Sequence, residues 1–422
     1  MIELPKSAED TLRSIGLSPI MRAAGVVTGM LPIPQPVLLV GPGSSRRLGE
    51  AITGFGHRKV MVVTDKVVAG LGLHAGLVEA LQAGGVEHVL YDGVSSDAPI
   101  PEIERGVEIY RDNRCQALVA VGGGSPMDAS KVIAAAVAND KNPRKLVGYF
   151  KGLKTPEPIY AVPTTAGTGS EVTVAAVISD LEAGKKYVVA DTRLVPQMAA
   201  LDPSLMTGLP AHVTAATGMD ALTHATEAYL GKWASDHTDR LALAAVRMIY
   251  THLRTACRHG QNLDAREQMS LAATYAGLAF TRANVGYVHA IAHQLGGRYH
   301  VPHGLANAII LPEVLKFLYP AVTKRLADLA IRAGVGKPGE KDTLLAKRFI
   351  ESVEEMNRDI GIPGTIKELR EEDIPAIAKD ACKEADTNYP VPRYMSRETC
   401  EELLRRLLPS RHAHKDRVPH AA

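Results

Sequence analysis

A change of hydrophobic period near Leu209–Pro210 divides this chain into two kinds of sequence. Before it, the short valine-rich runs Lys59–Val63, His88–Tyr91 and Ala117–Val121 alternate with Leu71–Ala83 and Ile103–Arg111, where apolar residues recur at three and four. Four or five apolar residues make a strand, and three-four spacing makes one face of a helix. Their alternation at this pitch predicts a parallel sheet with crossover helices. Further strands are expected at Ile159–Val162, Val172–Ile178 and Ala199–Leu201. After Leu209 only the helical period remains. It covers Thr214–Tyr229, Asp236–His252, Asp264–Phe280, Val288–Gly296, Val322–Gly334, Lys341–Met356 and Arg397–Leu407.

The expected organisation is therefore an N-terminal extension over residues 1–35, an α/β domain over 36–209, an all-α domain over 210–410 and a basic tail over 411–422. The extension contains an amphipathic stretch at Ala8–Ile15 and a Pro-rich connector, LPIPQP, whose fixed φ angles suit an extended lead-in. No repeat at solenoid spacing is found.

Composition removes several function classes. Lys+Arg 48 against Asp+Glu 46 leaves no broad basic field for nucleic acid or an anionic membrane. Cys115, Cys257, Cys382 and Cys400 are too few for a disulfide framework and lack C-x-x-C spacing. No stretch is expected to span a membrane. The start, MIELPKSAED, has acids where a signal peptide has a basic region and an apolar core. A folded cytoplasmic protein acting on small molecules is expected.

Gly122-Gly123-Gly124-Ser125 follows a strand and opens a helix. Such a turn brings backbone N–H groups and a positive helix end up to a phosphate, or is simply a tight strand-to-helix turn. It matches neither GxGxxG nor a P-loop. Asp65 ends the KVMVV strand, where a carboxylate either receives a ribose diol or caps the next helix. Pro163–Glu171 (PTTAGTGSE) is a hydroxyl- and glycine-rich loop between strands, suited to lining a dinucleotide or to ordinary turns. Lys185, Lys186 and Tyr187 are weaker candidates for cofactor contact, since Lys-rich turns are usually solvated.

The helical half carries a sharper signal. Asp220 and His224 lie four apart and share a helix face, His289 and His293 repeat the spacing, and His303 follows at a Pro-His-Gly turn. One carboxylate and three imidazoles suit a divalent first-row metal, iron or zinc. The chain has 15 histidines, so one such pair means little. Two pairs in Ala-rich helices are harder to dismiss, because buried imidazoles need partners.

At these motifs, GGGSPMDASK (122–131), PTTAGTGSEVT (163–173), GMDALTHATEAY (218–229) and VHAIAHQLGGRYHVPHGLANAI (288–309), the sequence resembles the iron-containing (group III) alcohol dehydrogenase family. The resemblance implies a Rossmann-like N-terminal domain, a helical metal domain and a dehydroquinate synthase-like architecture, with iron or zinc and NAD as cofactors. It places the metal ligands on Asp220, His224, His289 and His303, and proton transfer on His293. It places pyrophosphate at Gly123, Gly124 and Ser125, the nicotinamide side at Thr164, Thr165 and Thr168, an acidic cleft residue at Asp128, and preference for NAD at Asp65. Lys186 joins the cofactor set. The implied reaction is hydride transfer between a primary alcohol, or its aldehyde, and NAD in a homodimer or larger homo-oligomer. Competing readings are a glycerol-dehydrogenase-like or dehydroquinate-synthase-like enzyme, a hydroxyacid–oxoacid transhydrogenase, and a metal-binding protein without catalysis.

Three departures from the family pattern stand out: the long N-terminal segment, Ser96-Asp97-Ala98 in place of Pro-x-Pro, and Asn388–Arg393 in place of Asn-Pro-Arg. Small apolar Ala175 and Ala176, with Phe280 opposite, suggest a pocket for an alkyl or aryl tail. In a polar alternative, Arg393 would hold a substrate carboxylate.

Overall fold

The computed structural model describes residues 19–409, so Ala8–Ile15 and the tail over 411–422 lie outside the described residues. A helix, α1, is described over residues 19–30. There follow β1 (Val37–Val40), α2 (Ser44–Thr53), β2 (Lys59–Val63), α3 (Lys66–Gly70), α4 (Ala75–Ala83), β3 (Glu87–Tyr91), α5 (Ile100–Asp112), β4 (Leu118–Gly122) and α6 (Gly124–Asn139). Next come β5 (Gly148–Tyr149), β6 (Ile159–Pro163), β7 (Ala175–Asp180), β8 (Lys185–Ala190) and β9 (Met198–Leu201). From Ala211 the elements are helices: α7 (Ala211–Leu230), α8 (Asp236–Arg258), α9 (Leu263–Ala283), α10 (Tyr287–Tyr299) and α11 (His303–Arg332). The last are α12 (Asp342–Asp359), α13 (Ile374–Asn388) and α14 (Arg397–Arg406).

Six strands form one sheet in the order β1-β9-β6-β4-β2-β3, every pair parallel. Strands β4 and β6 are buried along their whole length, which is why they read as unbroken apolar runs. Strand β2 sends Met61 and Val63 into the core on one face and Val60 and Val62 into that on the other. After β3 the chain crosses back over β2 to lay down β4, so the winding reverses between β2 and β4. Ligands of open parallel sheets bind outside the strand carboxyl ends at such a reversal. Asp65, just after β2, and Gly122–Gly124, at the end of β4, both stand there.

Several expectations are corrected. The strand expected at Val172–Ile178 begins at Ala175, after a single 3-10 turn at Ser170–Val172. Lys185 and Lys186 lie in β8, in a small sheet ordered β5-β8-β7, not in a solvated turn. His303 opens a 30-residue helix, of which the expected Val322–Gly334 is only the last part. Pro312 and Pro320 hide that continuity in the sequence, and the helix departs from helical geometry at Val322. By length and composition α11 would also cross a membrane, but 61% of its apolar window is buried inside this protein. Helices α2 and α13 were not anticipated.

Helix α7 is the axis of the helical half, and every residue from Gly218 to Leu230 on it is buried. It packs on α8, α9 and α11, which calls for the small Ala and Gly residues that dilute its amphipathic signal. Buried Arg266 of α9 donates to Leu209 O, Gly260 O and Thr214 Oγ1, clasping the passage from sheet to helices.

Candidate metal centre and cofactor cleft

Gly123 caps α6 with no side-chain cap, which leaves the first-turn N–H groups of the helix free for an anion. A Cβ at Gly124 would stand 3.0 Å from Thr168 Cγ2, and one at Gly123 would stand 3.4 Å from Thr165 Oγ1. The glycine turn and the Thr loop are therefore one surface, and Thr164 N ties them by donating to Gly122 O at 2.9 Å. Ser125 Oγ accepts from Asp97 N at 3.0 Å, so the segment that departs from the family pattern buttresses this turn. Asp97 and Ala98 both take positive φ, 67° and 45°, and Ala98 is fully buried. Asp97 Oδ1 in turn receives Lys186 Nζ at 2.6 Å, which spends the ammonium of that residue inside the protein.

Asp65 caps α3, its Oδ1 accepting from Val67 N at 2.8 Å and Val68 N at 2.9 Å. The helix-cap role is thus realised, and Oδ2 has no part in it. Asp128 turns its carboxylate inward, where Oδ1 accepts from Ser170 Oγ and Oδ2 from Val177 N. It braces the Thr loop from beneath. Buried Lys131 completes that support with bonds to Ser170 Oγ, Thr173 Oγ1 and Ala175 O at 2.8–2.9 Å. Burial holds this ammonium down to about 8, against the pull of Asp128 and Glu171.

In the helical half, one donor atom from each of Asp220, His224, His289 and His303 lies within 4.8 Å of the others. Helix α7 supplies the first two, one turn apart; α10 and the first residue of α11 supply the rest. Gly304 lets α11 approach, since a Cβ there would meet Ala216 O at 2.4 Å and Asp220 Cβ at 3.3 Å. Burial drives His289 and His303 well below the ordinary imidazole range, keeping them neutral as metal ligands must be. Glu227 Oε2 lies 2.6 Å from His289 Nδ1 and also accepts from Gly286 N, while Oε1 accepts from Val288 N. A carboxylate behind an imidazole directs its other nitrogen toward a metal. His224 Nδ1 and Asn307 Oδ1 are buried with no hydrogen-bond partner. Asn307 Nδ2 touches Asp220 Oδ1, His289 Nε2 and His303 Nε2 at 2.7, 3.2 and 3.1 Å. A compact set of three imidazoles and one carboxylate, with buried polar atoms left unpartnered, fits a divalent cation.

His293 stacks on His303 with ring centroids 5.4 Å apart. His303 keeps 29% of its side chain exposed while the other three donors are nearly closed off, so the set opens on the His293 side. The His293 Nδ1 atom lies 2.7 Å from Glu384 Oε1. Phe280 stacks on His224 with ring centroids 4.2 Å apart. Ala176 is buried in the core of the α/β half; Ala175 is only partly covered.

Sequence reasoning missed three residues here. Glu227 continues the Asp220–His224 face at the next turn, a signal that was present. Asn307 repeats the four-residue step from His303. Glu384 lies on the unanticipated α13, and nothing in its own neighbourhood points to His293. Arg393 stacks its guanidinium over Phe317 at 4.4 Å and donates from Nη1 to Phe317 O.

Residues 35–203 match the family model described as iron-containing alcohol dehydrogenase, and residues 214–408 match that of the C-terminal part of the Fe-containing alcohol dehydrogenase family. The 1,3-propanediol dehydrogenase of Citrobacter freundii is 39% identical over 86% of this chain and 95% of its own. The NAD-dependent methanol dehydrogenase of Bacillus methanolicus is 36% identical over 83% and 93%. A crystal structure of 1,3-propanediol oxidoreductase superposes with a TM-score of 0.86 at 38% identity, covering 90% of this chain and 100% of that one.

Proposed function

The chain belongs to the iron-containing alcohol dehydrogenase family, and from that premise we propose that it oxidises primary alcohols, and reduces their aldehydes, with NAD at a centre held by Asp220, His224, His289 and His303. The observation that carries this is the convergence of those four donors beside His293, on helices joined to a glycine turn and Thr loop of one surface. When bound, the metal supplies Lewis acidity that eases loss of the alcohol proton, and the nicotinamide supplies a hydride acceptor.

The protein's own part is positional. First-turn N–H groups of α6 receive the pyrophosphate, and Asp65 Oδ2 receives the ribose diol. Thr164, Thr165 and Thr168 line the path of the dinucleotide toward the helical half. A Cβ at Gly167 would meet Thr217, one turn before Asp220, so the end of that path abuts the metal helix. His293 takes the alcohol proton, directly or through water, and passes it outward on the open side of the cluster. Phe280 and the partly covered Ala175 exclude water and favour an alkyl tail, each buried methylene contributing about 0.8 kcal/mol. The reading takes iron as the ion, a homodimer as the assembly and the cytoplasm as the compartment, and the family model's description supports the iron.

The test is NAD reduction by the series from ethanol to hexanol on protein reconstituted anaerobically with Fe²⁺, and separately with Zn²⁺. Methanol, 1,3-propanediol and 4-hydroxybutyrate run alongside. Rates are expected to rise along the series and to exceed those with the diol. No NADH from any alcohol would defeat the proposal; a win for the hydroxy acid would favour the transhydrogenase reading.

A further inference from the structure

Glu384 contacts His293, and it lies on a helix that supplies none of the four clustered donors. Three groups converge on it. His293 Nδ1 lies 2.7 Å from Oε1, Tyr389 OH donates to the same oxygen at 2.6 Å, and Gln294 Nε2 donates to Oε2 at 2.9 Å. Burial pushes the carboxyl up, but the attraction of the His293 imidazole and these three hydrogen bonds outweigh it, so the group is held below its ordinary range. An ionised carboxylate only accepts, which makes His293 Nδ1 the donor in this contact.

Tyr389 is buried, so its hydroxyl has little freedom to leave Glu384. Gln294 follows His293 on α10 and ties the opposite oxygen to the same helix. The carboxylate is thereby fixed in its plane, and the imidazole has a fixed acceptor on one side. On its other side the ring lies against His303, where the donor cluster is most open. An imidazole free to change tautomer would present Nε2 as a hydrogen-bond donor part of the time, and in that form it cannot receive a proton there.

We propose that Glu384 is a positioning residue that locks His293 in the Nδ1–H tautomer and in its stacked orientation, so that Nε2 faces the substrate as a proton acceptor. The geometry is that of a carboxylate–imidazole pair, in which the carboxylate orients the ring without touching substrate. Glu384 retains 22% side-chain exposure, so the contact also lies at the edge of solvent. The proposal rests on the reading of His293 as the proton-transfer residue.

Two variants separate orientation from packing. Glu384→Leu removes the acceptor at similar volume. Glu384→Gln keeps an oxygen for Nδ1–H and Tyr389 OH, and Gln294 need only turn its amide to match the new NH₂. The first measurement is the ¹⁵N spectrum of the histidine side chains in zinc-loaded protein, with His293 identified by its loss in His293→Asn. Wild type and Glu384→Gln are expected to give the Nδ1–H pattern, and Glu384→Leu a mixed one. The second is steady-state kinetics. Glu384→Leu should lose roughly ten- to a hundredfold in kcat, the range found when the partner orienting an imidazole is removed. KM for NAD and metal content should stay near wild type, Tm should fall modestly because Tyr389 OH and Gln294 lose their acceptor, the solvent isotope effect should rise, and Glu384→Gln should recover much of the loss in kcat. An unchanged Nδ1–H pattern in Glu384→Leu overturns the proposal, as does a loss of kcat in proportion to lost metal. The spectrum needs no turnover, so it tests Glu384 even if the wild type oxidises no alcohol, which would defeat the proposed function alone.

Discussion

Asp65 uses one carboxylate oxygen to cap α3 and keeps the other outside that cap, at the point where the sheet reverses its winding. A 2′-phosphate placed there would face this charge at a cost of order 1–3 kcal/mol, about a five- to 150-fold preference for NAD. Asp65→Gly is expected to narrow or reverse the ratio of kcat/KM between NAD and NADP. Stability should fall by only a few tenths of a kcal/mol, because glycine is itself a tolerated cap. A wild type more efficient with NADP would remove Asp65 from the ribose site. At this scale residue types were legible and their partners were not. The sequence offered both roles for Asp65, and the structure realises the cap through Oδ1 alone. It also offered Asp128 to the cleft, whereas contacts with Ser170 and Val177, 42 and 49 residues away, draw the carboxylate inward.

Among the elements, a close approach of two glycines holds the Thr loop against α9. Gly169 turns the Thr loop at φ 61°, and a Cβ on Gly277 of α9 would meet Val172 Cγ2 at 2.7 Å, Gly169 O at 2.9 Å and Gly169 Cα at 3.0 Å. Replacing Gly277 by Ala gains up to about 1 kcal/mol of helix propensity. The clash costs about 1–3 kcal/mol and wins, because the atoms met include backbone that cannot swing aside. Gly277→Ala should therefore lower Tm and raise KM for NAD while leaving bound metal unchanged, as calorimetry, kinetics and metal analysis would show. An unchanged KM would detach the Thr loop from cofactor binding. Elements with a clear period were legible: β2 runs from Lys59 to Val63 as expected, and α12 and α14 lie within a few residues of their expected ends. What failed was local chemistry that contradicts the final state, such as the prolines inside α11 and the lysines at the start of β8.

For the molecule as a whole, a parallel sheet followed by a helical half was readable because the hydrophobic period itself changes. The cluster of Asp220, His224, His289 and His303 was readable because three of the four come from i,i+4 steps on helices. The orienting carboxylates were less so. Glu227 and Glu384 act on residues 62 and 91 positions away, through packing that no single window of sequence contains. The account's central claim is that a single ion on Asp220, His224, His289 and His303 is required for NAD-linked oxidation of an alcohol. It is tested most directly by titrating Fe²⁺ or Zn²⁺ anaerobically into metal-free protein while following both bound metal and NADH formation from hexanol. The account predicts that turnover rises in step with occupancy and levels off at one ion per chain, and that His289→Ala neither holds the ion tightly nor turns over. Full turnover by protein shown to be metal-free, or tight stoichiometric binding by His289→Ala, would contradict it.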